Sequence, residues 1–326
     1  MHEQTHARHL RAYRYVGLEP GPKLIVTGAV HGNETCGVRA IERVLGDLAR
    51  GQLEVTRGVL TLVPVCNPLA YSLGRRFGDR NLNRRLLPSD APFDNEDRIA
   101  NVLCPWLAEH DVLLDLHAFR NPGQPFVLRG PADNRGALEP FEHEAAEAQL
   151  ALHVGPSRVV EGWMEAYAEG VVRRCARAAE AGGAQSAVTG DPSYGVGTTE
   201  YMRAQGGYGV TLECGQLDDP AAPDVGYHAI RQALALLGLC NLPLFPPAHP
   251  FECLRLASVT DRHDVGDQFL RTWASFDPVA AGEPVALRVD GTEVLAPADG
   301  YIVFPDAAAL PGHEWFYFAQ PSERPL

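Results

Sequence analysis

The apolar run Leu24-Ile25-Val26-Thr27-Gly28-Ala29-Val30 ends in His31-Gly32-Asn33-Glu34, and a second run, Val112-Leu113-Leu114-Asp115-Leu116, ends in His117. Two imidazoles and one carboxylate form the donor set of an open zinc site, in which a fourth position stays free for water. His31 and Glu34, at i and i+3, reach one ion if the chain turns from strand into helix between them. His117 must then come from a segment lying alongside in the sheet. An isolated HxxE pair is ordinarily a loop feature. Its place at the end of one buried run, matched by a second strand-end His, favours ligation.

A hydrolytic site also needs a base, an oxyanion donor and a group that positions substrate. Glu213 ends the strand-like Gly209-Val210-Thr211-Leu212 and so falls at the same sheet edge. A carboxylate there can take a proton from water and return it to a leaving amine. Arg76 and Arg84 flank Phe77-Gly78-Asp79-Arg80-Asn81-Leu82-Asn83. One of them suits polarisation of a scissile carbonyl. The other, with Asn83, suits a bidentate grip on a substrate carboxylate. Arg75, Arg80 and Arg85 read as solvent-facing or structural.

The elements that must position these groups follow from periodicity. Residues 24–30, Gly58 to Val65, 112–117 and Tyr208 to Glu213 are short, β-rich and apolar, as interior parallel strands are. In open α/β sheets, sites gather outside the carboxyl ends of such strands. Asn33 is the expected cap of a helix carrying Val38, Ile41, Val44, Leu45 and Leu48 at helical spacing. Further helices are expected near 94–109, 139–151, 163–181 and 223–238, and a strand near 126–128. Cys66 to Asp94 is long, polar and aperiodic, which marks a functional or disordered stretch. The fold class is therefore α/β, a mixed but mostly parallel sheet flanked by helices, over residues 1–245. Beyond the Pro-rich stretch 241–250, helical periodicity gives way to short alternating runs with Asp290-Gly291 and Asp299-Gly300, which predict a small all-β, barrel-like domain over 251–326.

Composition narrows the function. A net charge of −13 over 326 residues excludes a nucleic-acid partner of the usual basic kind. No stretch is long and apolar enough to span a bilayer, and the polar start, with His2, His6 and His9, reads as a solvated tail. Seven scattered cysteines without a CxxC pair predict reduced thiols and a cytoplasmic protein. Cys36 and Cys214, near the site, read as packing. Lys23 is the only lysine, at the strand end away from the site, which argues against Schiff-base chemistry. Two decoys are set aside. His143-Glu144-Ala145-Ala146-Glu147 lacks the second His of a metalloprotease helix and reads as exposed, and Gly195-Val196-Gly197 lacks the context of a dinucleotide loop.

Taken together, GAVHGNE (Gly28 to Glu34), CNP (Cys66 to Pro68), RFGDRNLNR (Arg76 to Arg84), DLHA (Asp115 to Ala118) and VTLECG (Val210 to Gly215) resemble the succinylglutamate desuccinylase/aspartoacylase family, a branch of the zinc carboxypeptidase superfamily. The resemblance implies one zinc per chain on His31, Glu34 and His117, with Glu213 as general base and acid and Arg76 as the carbonyl-polarising group. It implies that Asn83 and Arg84 hold a substrate α-carboxylate, and that Arg203 holds a side-chain carboxylate. It implies hydrolysis of the amide of a small N-acyl amino acid, the alternative being a zinc carboxypeptidase acting on short peptides or cell-wall fragments. A homo-oligomer is compatible with either. Aspartoacylases also use a Tyr from their C-terminal part; Tyr301 and Tyr317 are the candidates here.

Overall fold

The computed structural model describes residues 9–180, 190–247 and 249–325; His2 and His6 of the polar start lie outside them. The chain opens with β1 (Tyr13–Val16), β2 (Glu19–Thr27), α1 (Cys36–Ala49), β3 (Arg57–Val63), α2 (Pro68–Ser72) and α3 (Asn95–Ala108). It continues with β4 (Val112–Phe119), β5 (Phe126–Leu128), α4 (Glu144–His153), β6 (Arg158–Glu161) and α5 (Trp163–Glu180). Then come α6 (Thr198–Ala204), β7 (Tyr208–Gln216) and α7 (Ala222–Leu236). The rest is strand: β8 (Glu252–Asp261), β9 (Gln268–Phe269), β10 (Asp277–Val279), β11 (Pro284–Leu287), β12 (Glu293–Leu295), β13 (Gly300–Val303) and β14 (Glu314–Pro321).

An 11-stranded mixed sheet runs in the order β1-β3-β2-β4-β7-β5-β6-β8-β14-β13-β10. Its centre, β3, β2, β4 and β7, is parallel. Side chains alternate across these strands, and both faces are covered. Leu24 and Val26 pack with Ile41 and Val44 of α1 and Ile230 of α7. Ile25 and Leu113 pack on the other side with Leu103 of α3 and Met202 of α6. Burial on both faces is why these strands read as unbroken apolar runs.

Register fixes the site. Thr27 is level with Asp115, and His117 is level with Glu213, so three strand ends meet at one edge. Asn33 does not cap α1; the cap is Thr35. Before the helix begins, the chain makes a turn in which the Glu34 N–H donates to the His31 carbonyl at 3.1 Å. Gly32 is obligatory there, since a Cβ would lie 2.1 Å from the Ala70 carbonyl carbon.

The C-terminal segment is all β, as its alternation predicts, but much of it extends the large sheet. β8 pairs in parallel with β6, and β14 and β13 follow in antiparallel order. Only β12, β11 and β9 form a separate three-stranded sheet. The joint was hidden because β6 has four residues, too few to show a period.

Asp267 closes the turn before β9. It is buried and accepts the His263, Asp264 and Val289 N–H groups as well as the Arg288 side chain. Burial works against its charge, but these bonds outweigh it and pull the carboxyl from 3.8 down to about 2. A carboxyl depressed on folding stabilises above its unfolded pKa and loses that contribution as pH falls through the folded one. Asp267 is therefore expected to contribute about 2–3 kcal/mol above pH 4, fading toward pH 2. Asp267→Asn should flatten the acid limb of a plot of urea midpoint against pH; an unchanged limb would contradict this.

Candidate active site

His31, Glu34 and His117 converge, with ligand atoms within 4.8 Å of one another, and all three are buried. Each imidazole is fixed through its Nε2. That of His117 lies 2.8 Å from Asp115 Oδ2, and that of His31 lies 2.9 Å from Asn81 Oδ1. With each Nε2 held by these acceptors, both Nδ1 atoms face Glu34, the way hydrogen-bonded partners orient metal-ligating His residues. The Nδ1 atoms lie 2.8 and 2.9 Å from the two Glu34 oxygens. His31 Nδ1 is nevertheless buried without a hydrogen-bond partner. A buried, unpartnered nitrogen amid a His–Glu–His set fits a divalent metal. Burial and the Arg76 charge lower the His31 pKa to about 4, so the ring is in its neutral, ligating form at neutral pH.

Asp115 is fully buried and anchors this arrangement, accepting from Thr27 Oγ1 at 2.6 Å and from Thr198 Oγ1. It stands two residues before His117, and alternate strand residues share a face. That signal was present in DLHA.

Glu213 points into the same place. Its Oε2 is buried with no partner, and burial, reinforced by the Glu34 charge, raises its pKa to about 8. A bound dication opposes that shift. Arg76 is part exposed and donates to Glu34 Oε1 at 2.7 Å.

The aperiodic stretch is ordered by two acids at the start of α3. Glu96, wholly buried, accepts the Gly78, Asp79 and Arg80 N–H groups and the Asn67 amide. Asp97 takes Arg80, Arg85 and the Phe93 N–H. Arg80 is thus structural, and the loop that carries Arg76, Asn81, Asn83 and Arg84 is held in place. Asn83 Oδ1 accepts the Thr198 N–H at 2.9 Å, docking α6 beside the site. Arg84 lies over Trp163 at 4.6 Å and Tyr167 at 5.2 Å, with Glu314 of β14 at 3.7 Å. Tyr317, also on β14, lines the cleft with a buried, unpartnered hydroxyl, whereas Tyr301 does not line it. The cleft that joins these groups has a volume of about 1400 Å³.

Arg203 is engaged within the protein. It does not offer a free guanidinium to a substrate carboxylate. Its Nε and one terminal nitrogen hold Glu147 at 2.9 and 3.1 Å, and the other holds Glu139 at 2.7 Å. The Gly209 carbonyl takes a further N–H at 2.8 Å. Glu147, expected on an exposed helix, is in fact buried. Removing one partner of a buried pair strands the other charge and typically costs 3–5 kcal/mol. Arg203→Ala is therefore expected to lower unfolding free energy by about that amount in a urea titration. A normal midpoint with a raised KM would restore the substrate-binding role.

A buried two-His, one-Glu group that could hold a metal ion, with a neighbouring unpaired carboxylate at the carboxyl edge of the parallel centre of the sheet, defines the site of this α/β protein. Residues 20–235 match the succinylglutamate desuccinylase/aspartoacylase catalytic domain, and the chain belongs to that family. A succinylglutamate desuccinylase of Pseudomonas fluorescens is 38% identical over 64 residues, 20% of this chain and 18% of that protein. An N-alpha-acetyl-L-2,4-diaminobutyric acid deacetylase of Halomonas elongata is 34% identical over 105 residues, 30% of this chain and 29% of that protein. The match thus spans less than a third of either relative. A succinylglutamate desuccinylase/aspartoacylase structure from Rhodobacter sphaeroides superposes with a TM-score of 0.69 at 18% identity, covering 97% of this chain and 90% of that one, and shows the shared fold.

Proposed function

We propose that the protein is a zinc-dependent hydrolase that cleaves the amide bond of a small N-acyl amino acid. The observation that carries this is the buried His31–Glu34–His117 set with the unpartnered carboxylate of Glu213 one strand away. A zinc ion held by His31, Glu34 and His117 would supply Lewis-acid polarisation and a more acidic water. Glu213 takes the proton of the attacking water and later hands it to the departing nitrogen. The Arg76 guanidinium meets the carbonyl oxygen as it gains charge. Asn83 and Arg84 hold the carboxylate of the amino acid, and Phe304 to Glu314, with Tyr317, wall the cleft against larger substrates.

Among the described residues no helix is long and apolar enough to cross a membrane. All seven cysteines are free, which suits the reducing cytoplasm. The test is metal analysis of purified protein, with amine release measured from N-acetyl and N-succinyl amino acids and from dipeptides. One zinc per chain and preference for acylated amino acids support the reading. Preference for dipeptides would favour a carboxypeptidase instead.

A further inference from the structure

We infer that the substrate carries a single carboxylate, gripped at Arg84, and that the rest of its amino-acid part is uncharged or positively charged. This rests on the reading above and narrows it.

Charge in the cleft is largely paired within the protein. Apart from Arg84, every arginine lining it is already held within 3.4 Å by a carboxylate or, for Arg262, by backbone carbonyls. Arg203, the remaining candidate for a second substrate carboxylate, is saturated by Glu147, Glu139 and Gly209. Among the described residues, Arg84 alone of these has no carboxylate within hydrogen-bond distance, donating only to the neighbouring Asn83 carbonyl at 2.8 Å. Aromatic rings hold it, and its nearest carboxylate, Glu314 at 3.7 Å, is beyond hydrogen-bond reach. Glu200, Glu213 and Glu314 line the same cleft, yet none has a guanidinium closer than 3.6 Å. A dicarboxylic amino acid would bring two negative charges to a place where one guanidinium lacks a close carboxylate and the carboxylates of Glu200 and Glu314 lie alongside. Like charges brought together in a poorly solvated cleft are strongly disfavoured, and such repulsion is an effective source of specificity. A neutral amide or an ammonium in place of the second carboxylate removes the repulsion, and an ammonium gains an attraction to Glu314 or Glu200.

The experiment compares N-acetyl-L-aspartate, its near-isostere N-acetyl-L-asparagine, and Nα-acetyl-L-2,4-diaminobutyrate as substrates of the zinc-loaded protein. The last two are expected to exceed the first in kcat/KM by at least about 100-fold. Glu314→Gln should narrow the gap between diaminobutyrate and aspartate conjugates by about tenfold. Equal or better turnover of the aspartate conjugate overturns the inference, and an unchanged gap in Glu314→Gln removes Glu314 from it. If no conjugate is hydrolysed, the proposed activity fails, and charge preference is read separately by calorimetry with free L-aspartate, L-asparagine and L-2,4-diaminobutyrate. Binding of the latter two but not aspartate upholds it; equal binding, or none, overturns it.

Discussion

Glu213→Gln is expected to leave the metal content unchanged while reducing turnover by about 10²–10⁴, the usual loss when general acid–base help is removed. The substitution is nearly isosteric, and Glu213 is not among the three converging ligand residues. Its Oε2 bonds to nothing in the protein, so no structural hydrogen bond is lost there. What disappears is the capacity to accept a proton beside the His–Glu–His set. The check is paired measurement of zinc per chain and kcat on one preparation. Near-normal kcat would take Glu213 out of the mechanism, and loss of zinc would make it a ligand.

Glu34→Gln is expected to act through a different route, abolishing both metal retention and activity. Glu34 is the hub of the centre: one oxygen faces His31 Nδ1 and Arg76, and the other faces His117 Nδ1 and accepts the Ala118 N–H at 3.0 Å. Replacing a carboxylate oxygen by an NH₂ group removes the negative charge and directs donors at atoms that need an acceptor. Hard and borderline divalent ions bind anionic oxygen far better than an amide nitrogen, which has no available lone pair. Zinc per chain should fall from near one to near zero, with hydrolysis lost in step. Full zinc occupancy in Glu34→Gln would mean that the cation sits elsewhere.

The two variants together separate proton transfer from metal holding. Only the second should respond to the state of the His31 and His117 tautomers, which Asn81 and Asp115 control.

Much of this centre was legible in the chain because its cues are local. Continuous apolar runs marked β2, β4 and β7, and a strand-end position placed His117 and Glu213 at one edge before any pairing was known. The i, i+3 spacing of His31 and Glu34 did the same for the first two residues of the group. Helices α1, α3, α5 and α7 followed from periodicity, and Asp94 caps α3 within one turn of the expected start. Long amphipathic segments carry their own evidence, since one face must find a core.

The amino-acid sequence by itself thus determined the grouping of His31, Glu34 and His117, the strands that carry it and the alternation of strands with helices. Tertiary structure alone decided which charges are free. Glu147 looks like any residue of an acidic helix, yet docking of α4 against β7 buries it and spends Arg203 on it. Glu96 and Glu314 likewise acquire their roles from partners far along the chain, Gly78 to Arg80 in one case and Arg84 in the other. The extension of the sheet through β6 and β8 has the same origin. Periodicity is enforced residue by residue, whereas an ion pair or a strand joint depends on which surfaces meet after the chain has folded back on itself.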